Sequence, residues 1–263
     1  MRKLIKLYMI FIAIVIAGCS QSEQPDNQEK RTELTISAAA SMKDALTEIK
    51  TAYEKEHSGV ELYFNFGGTG MLQQQISQGA PVDLFLSAAE DKFALLVEQG
   101  FIEERYSTDL VGNELVLVQS KNRKENLTGF ADLADDAVER ISIGTPESVP
   151  AGKYARELLE YAELWEPVQT KLIFAKDVRQ VLTYVETGNV DAGIVYKTDA
   201  LVSDKVEIAA VAGAETHSPI VYQLGVIRGS DNRDGAIKFY EFLQAKKAVD
   251  ILEKYGFNSL ADK

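Results

Sequence analysis

Thr35–Leu46 reads TISAAASMKDAL, and the way its middle is understood decides the architecture. The opening residues alternate and include β-branched side chains, which suits a strand. The closing residues begin a helical pattern, with Ala45, Ile49, Ala52 and Tyr53 on one face of a segment that runs on to His57. Between them lie Ala38, Ala39, Ala40 and Ser41, all small, where the strand hands over to the helix. Side chains this small permit tight packing, or close approach of something to the backbone. A strand that feeds straight into a helix is half of a βαβ unit, so the fold depends on whether the pattern repeats.

It repeats in both halves of the chain. VELYFNF reads as a strand, MLQQQISQ as a short helix closed by Gly79, PVDLFLSA as a buried strand, and EDKFALLVEQG as a helix stopped by glycine. NELVLVQS (residues 113–120) is the next strand, and the polar KNRKENLTG breaks the pattern. A second set follows in RISIGT, AGKYARELLEYAEL, KLIFA, DVRQVLTYVETG and VDAGIVY, then strands in KVEIAAV and SPIVYQLGVI. DGAIKFYEFLQAKKAVDILEKYGF reads as the closing helix. This alternation predicts an α/β protein with sheets flanked by helices. The excursion between residues 120 and 219 favours two lobes over one doubly wound sheet. Lobe one takes residues 33–112 and 222–263; lobe two takes 113–221, with hinge strands at its ends. Ligands favour clefts between domains and the carboxyl ends of parallel strands.

The chain has 263 residues and a formal net charge of -12. That balance argues against nucleic acid, which is held by Lys and Arg on phosphates. A small anion is not excluded, because it responds to local dipoles more than to net charge. Residues 1–19 read as an export signal: Arg2, Lys3 and Lys6, an apolar run Leu7–Ala17, then IAGC ending at Cys19. The small pair before the cysteine resembles a bacterial lipobox, which implies cleavage before Cys19 and a lipid on it. Cys19 is the sole cysteine, so no intrachain disulfide supports the fold. Residues 20–32 are polar and read as a tether.

Ser41, Thr69, Ala151 and Val178 each stand at a helix N-terminus, two in each expected lobe. Such ends carry unpaired N–H groups and the positive end of a dipole, and they bind anions without a cation. Taken singly, Ser41 reads as a cap, GGTG as a loop, Ala151 and Val178 as first-turn residues, and Tyr196 as a core or rim tyrosine. Only the set points to a ligand. Asp177 reads as the cap of the helix that begins at Val178. His57 and His217 lack zinc-ligand spacing and read as exposed surface residues. No G-x-S-x-G elbow and no phosphate-binding G-x-x-x-x-G-K-[ST] loop occurs. Asp83 and Asp191 are candidate acid/base residues for an enzyme in the cleft, although turn chemistry explains them equally well.

AAASMKDAL, GGTGMLQQQISQGAPVDLFLSA, GTPESVPAGKYAREL, AKDVRQVLTYVETGNVDAGIVYKTDA and EKYGF together resemble the molybdate-binding proteins of bacterial ABC importers, in the same order, from Leu34 to Phe257. The resemblance implies a two-lobed type II periplasmic-binding-protein fold that takes molybdate or tungstate in the cleft between the lobes. It implies as donors the hydroxyls and amides of Ser41 and Thr69, the amides of Ala151 and Val178, and the Tyr196 hydroxyl. Relatives often carry serine where this chain has Thr69, which keeps the hydroxyl and adds a methyl. A membrane permease as partner, an extracytoplasmic monomer lipid-anchored through Cys19, and no cofactor or metal ligand of its own are also implied. Another tetrahedral oxyanion such as sulfate is the alternative ligand.

Overall fold

The computed structural model describes residues 31–260. The signal segment, Cys19 and nearly all of the tether lie outside these residues. The chain order is β1 (Thr32–Ala39), a 3-10 turn (Ala40–Met42), α1 (Lys43–Glu56), β2 (Val60–Gly67), α2 (Thr69–Ser77), β3 (Leu84–Ser87), α3 (Glu90–Glu98), β4 (Ile102–Gly112) and β5 (Leu115–Ser120). It continues through a second 3-10 turn (Phe130–Ala134), β6 (Ile141–Gly144), α4 (Pro150–Tyr161), α5 (Trp165–Val168), a third 3-10 turn (Gln169–Lys171), β7 (Leu172–Ala175), α6 (Val178–Glu186), β8 (Ala192–Tyr196) and α7 (Lys197–Leu201). The last elements are β9 (Val206–Val211), β10 (Val221–Ile227), α8 (Arg233–Gln244), α9 (Lys246–Lys254) and β11 (Asn258–Ser259).

Two mixed sheets result. The first runs β11-β4-β10-β3-β1-β2 and the second β7-β6-β8-β5-β9. In the first, β1 pairs parallel with β2 and β3, while β10 pairs antiparallel with β3 and β4. In the second, β6 pairs parallel with β7 and β8, while β5 pairs antiparallel with β8 and β9. Parallel strands with both faces covered should be apolar throughout. β3 obeys this, with all four residues buried: Leu84 and Leu86 join the core shared with α1, and Phe85 joins a second cluster with Leu72, Phe93 and Leu96 on the opposite face.

The chain passes between sheets twice, from β4 to β5 and from β9 to β10. The crossings touch each other, the Asn113 N–H donating to the Ile220 carbonyl at 3.3 Å. The strand that leaves the first sheet is β4, an element the sequence pattern did not signal. IEERYSTDLVG is polar through its middle because those residues are exposed or half-buried, so its ends alone carry the apolar signature. The strand read at residues 113–120 is β5 (Leu115–Ser120), the first strand of the second sheet in chain order. The terminal helix is also two helices, broken at Ala245, which is extended (φ -71°, ψ 149°) and starts α9. No Gly or Pro marks the break. In a continuous helix Leu243 and Ala248 would point about 140° apart, yet both are buried along with Leu252. Turning the axis at Ala245 brings the two apolar faces to the same core.

Candidate functional site

Each candidate residue owes its position to a junction. β1 ends at Ala39, and the next three residues coil into a 3-10 turn that buries Ser41 before α1 begins. Gly68 is extended (φ -66°, ψ 131°), which lets Thr69 open α2. Pro150 opens α4 and puts Ala151 in its first turn. Asp177 precedes α6, its carboxylate accepting the Gln180 N–H at 2.8 Å, so Val178 is the first helical residue. Tyr196 ends β8 and is fully enclosed.

The structure brings all five together. Ser41 and Thr69 from the first lobe, and Ala151, Val178 and Tyr196 from the second, line one narrow cleft. The remaining lining is alanine, glycine, valine and proline, and no charged side chain takes part. Asp177 caps its helix and is not in the lining.

The polar atoms of this cleft are biased toward donation. Thr69 Oγ1 accepts the Ala88 N–H at 3.2 Å, which leaves its own proton for another acceptor. Ser41 Oγ lies 2.7 Å from the Tyr222 hydroxyl. The Tyr196 hydroxyl is buried and has no hydrogen-bond partner among the described residues. Burial first, then neighbouring Tyr222, push its phenol well above the ordinary range, so it stays a proton donor. A buried polar group left unpaired costs about 1–3 kcal/mol. An acceptor delivered into the cleft relieves that cost.

The lobes touch around the cleft. The Gly70 N–H donates to the Ser148 carbonyl at 2.9 Å, and the Tyr154 hydroxyl donates to the Ala88 carbonyl at 3.3 Å. A methyl added at Gly70 would stand 2.9 Å from Ser148 Cα and O, and one at Gly68 would stand 2.8 Å from the Lys176 carbonyl. Part of the glycine content of GGTG is therefore explained by lobe-to-lobe approach rather than by the ligand. Arg179, one residue past Val178, pairs with Asp44 of the first lobe and lies 2.7 Å from Asp199 of the second. Asp199 is wholly buried, and that burial, only partly offset by Arg179, raises its carboxyl to about 7. Sequence reasoning missed Arg179, Asn113 and Tyr222. A cation in the first turn of α6, where the helix dipole disfavours it, was the available signal for Arg179.

The other candidates fall outside the cleft. Asp83 accepts the Thr35 N–H at 2.7 Å and the Ser230 hydroxyl at 2.5 Å, which ties β1 to the loop after β10. Asp191 accepts the N–H groups of Glu139 and Arg140 and pairs with Arg123. Both carboxylates are occupied as structural clamps. The histidines are half-buried rather than exposed: His57 stacks on Tyr53 at 4.1 Å between ring centroids, and His217 lies 5.8 Å from the Tyr154 ring. Flat apolar ring faces explain this better than their polar sequence neighbours do.

The model of the bacterial extracellular solute-binding protein family matches residues 34–258. YvgL of Bacillus subtilis strain 168, named as a candidate ABC transporter substrate-binding lipoprotein, is 54% identical, over 97% of this chain and 99% of the relative. The molybdate-binding protein ModA of Haemophilus influenzae is 36% identical over the same shares of the two chains, 97% and 99%. Among solved structures, the substrate-binding domain of a candidate molybdenum ABC transporter from Clostridium difficile is 44% identical. It aligns with a TM-score of 0.67 over 87% of this chain and 99% of that one.

Proposed function

Because the chain belongs to the bacterial extracellular solute-binding proteins, we propose that its solute is molybdate, with tungstate as a close substitute, held by Ser41, Thr69, Ala151, Val178 and Tyr196. The observation that carries this reading is the composition of the cleft: five residues from two lobes meet in a space with hydroxyl and amide donors and no charged side chain. Hydrogen bonds to a charged acceptor are worth about 1.5–3 kcal/mol each, and several together outweigh the ordering cost of closing two lobes on a small ion. Phosphate carries a proton near neutral pH and needs an acceptor, which this lining does not favour. A fully ionised tetrahedral dianion needs only donors. The names of the relatives point the same way. Sulfate satisfies the same donor logic and is the second reading.

The proposal extends to the rest of the transport cycle. Cys19 carries the lipid that holds the protein on the outer side of the cell membrane, and the closed lobes present the ion to an ABC permease. No bond in the ion breaks, so the chemistry asks for no cofactor. A thermal-shift panel of molybdate, tungstate, sulfate and phosphate tests the assignment. Ligand at ~100 times its dissociation constant adds about 2.7 kcal/mol of stability. Molybdate and tungstate should each raise the melting temperature. A rise with sulfate and none with either metal oxyanion would overturn the reading.

A further inference from the structure

Tyr222 lies on β10, the strand by which the chain returns to the first sheet, and it is fully buried. Asn113 lies on the outward crossing, between β4 and β5. The two side chains meet, and the amide fixes which of them donates in that contact. Asn113 Oδ1 accepts the Glu114 N–H at 2.9 Å, which fixes the orientation of the amide. Its NH2 group therefore faces Thr198 Oγ1 at 2.9 Å and the Tyr222 hydroxyl at 3.2 Å. An amide NH2 only donates, so the Tyr222 oxygen is the acceptor there. The phenol keeps one proton, and across the 2.7 Å to Ser41 Oγ either oxygen can be the donor. Burial pushes the Tyr222 phenol upward, so the proton stays on it. With Tyr222 as that donor, Ser41 must send its own proton elsewhere, and the cleft that it lines is open to it.

We propose that Asn113 and Tyr222 are positioning residues that commit the Ser41 hydroxyl to donating into the cleft, and so bias the site toward fully deprotonated oxyanions. The proposal rests on the reading of this cleft as an oxyanion site. Thr69 reaches the same state by a different route, its oxygen being occupied by the Ala88 N–H. Both hydroxyls contributed by the first lobe are thus set as donors before any ion arrives. The relay also spans both crossings and reaches Thr198 in the second lobe, which places it where the lobes pivot.

Calorimetric titration of molybdate into the wild type, Ser41→Ala, Tyr222→Phe and the double variant tests this. Tyr222→Phe should weaken binding about five- to tenfold when Ser41 is present and less than about twofold in the Ser41→Ala background, because the effect acts through that hydroxyl. Phosphate should also compete with molybdate more effectively in Tyr222→Phe than in the wild type. Equal losses in both backgrounds, or no loss at all, would reduce Tyr222 to a packing residue and overturn the relay. Unchanged phosphate competition would overturn its selectivity. Absence of binding by the wild type would instead remove the oxyanion reading beneath it. Asn113→Ala removes the group that orients Tyr222 and should give a smaller loss with the same dependence on Ser41; it carries the test if Tyr222→Phe does not fold.

Discussion

Tyr196 and Asp199 stand three positions apart, one closing β8 and the other inside α7, and burial pushes both toward their protonated forms. Tyr196 holds a hydroxyl with no partner among the described residues. Removing that oxygen by Tyr196→Phe should leave the ligand-free melting temperature unchanged or slightly raised. It should weaken molybdate about tenfold or more, the value of one hydrogen bond to a charged acceptor; calorimetry with unchanged affinity would take Tyr196 out of the site. Asp199 faces Arg179, with the carboxylates of Asp44 and Asp177 close enough to raise it further. Its carboxyl is raised from 3.8 to about 7, so the folded chain retains a proton that the unfolded chain releases. That contribution to stability is complete below the unfolded value and is lost as the pH rises through about 7. Asp199→Asn stays neutral at all pH. Its melting temperature should therefore gain on that of the wild type between about pH 5 and pH 8, and a constant difference across that range would refute the assignment.

At the level of elements, the loop between β2 and α2 serves two purposes. Thr69 supplies a hydroxyl to the cleft, while Gly68 and Gly70 let α2 come against the backbone of the second lobe. Gly70 is the second residue of α2, in its first turn. Gly70→Ala puts a side chain into the contact with Ser148 and should not raise the melting temperature. The new methyl would stand 2.9 Å from Ser148 and obstruct the approach of the lobes. Small-angle scattering should show no contraction on adding molybdate, and affinity should fall by more than about tenfold. A variant that contracts and binds like the wild type would show that the contact is incidental. The sequence pattern marked these glycines as a loop, but a helix partner on another lobe leaves no trace in local periodicity. For the same reason β4 and the break at Ala245 were not legible: each is set by what it packs on.

For the whole molecule, Arg179 joins the lobes. Its guanidinium pairs with Asp44 across the cleft and with buried Asp199 on its own side. Asp44 is partly exposed, at 40% of its side chain, so the contact is screened and modest in energy. Its effect should appear in kinetics. Asp44→Asn should raise the molybdate dissociation rate a few-fold in dilute buffer. The difference should shrink near 1 M salt, where the screening length is about 3 Å. Stopped-flow release with an equal effect at both salt concentrations would argue against an ionic latch.

The residues alone were enough to determine the alternation of strands and helices, the four helix N-termini and the cap at Asp177, while Tyr196 entered the site through the family resemblance. The alternation, the N-termini and the cap are local, carried by spacing of 2.0 or 3.6 residues and by the chemistry of junctions. Tertiary structure decided the rest. It alone determined that Arg179 spans the lobes, that Gly70 faces Ser148, and that Tyr222 joins Asn113 to Ser41. Those contacts join residues far apart in the chain. Their partners are chosen by how two sheets close on each other, which no local pattern encodes.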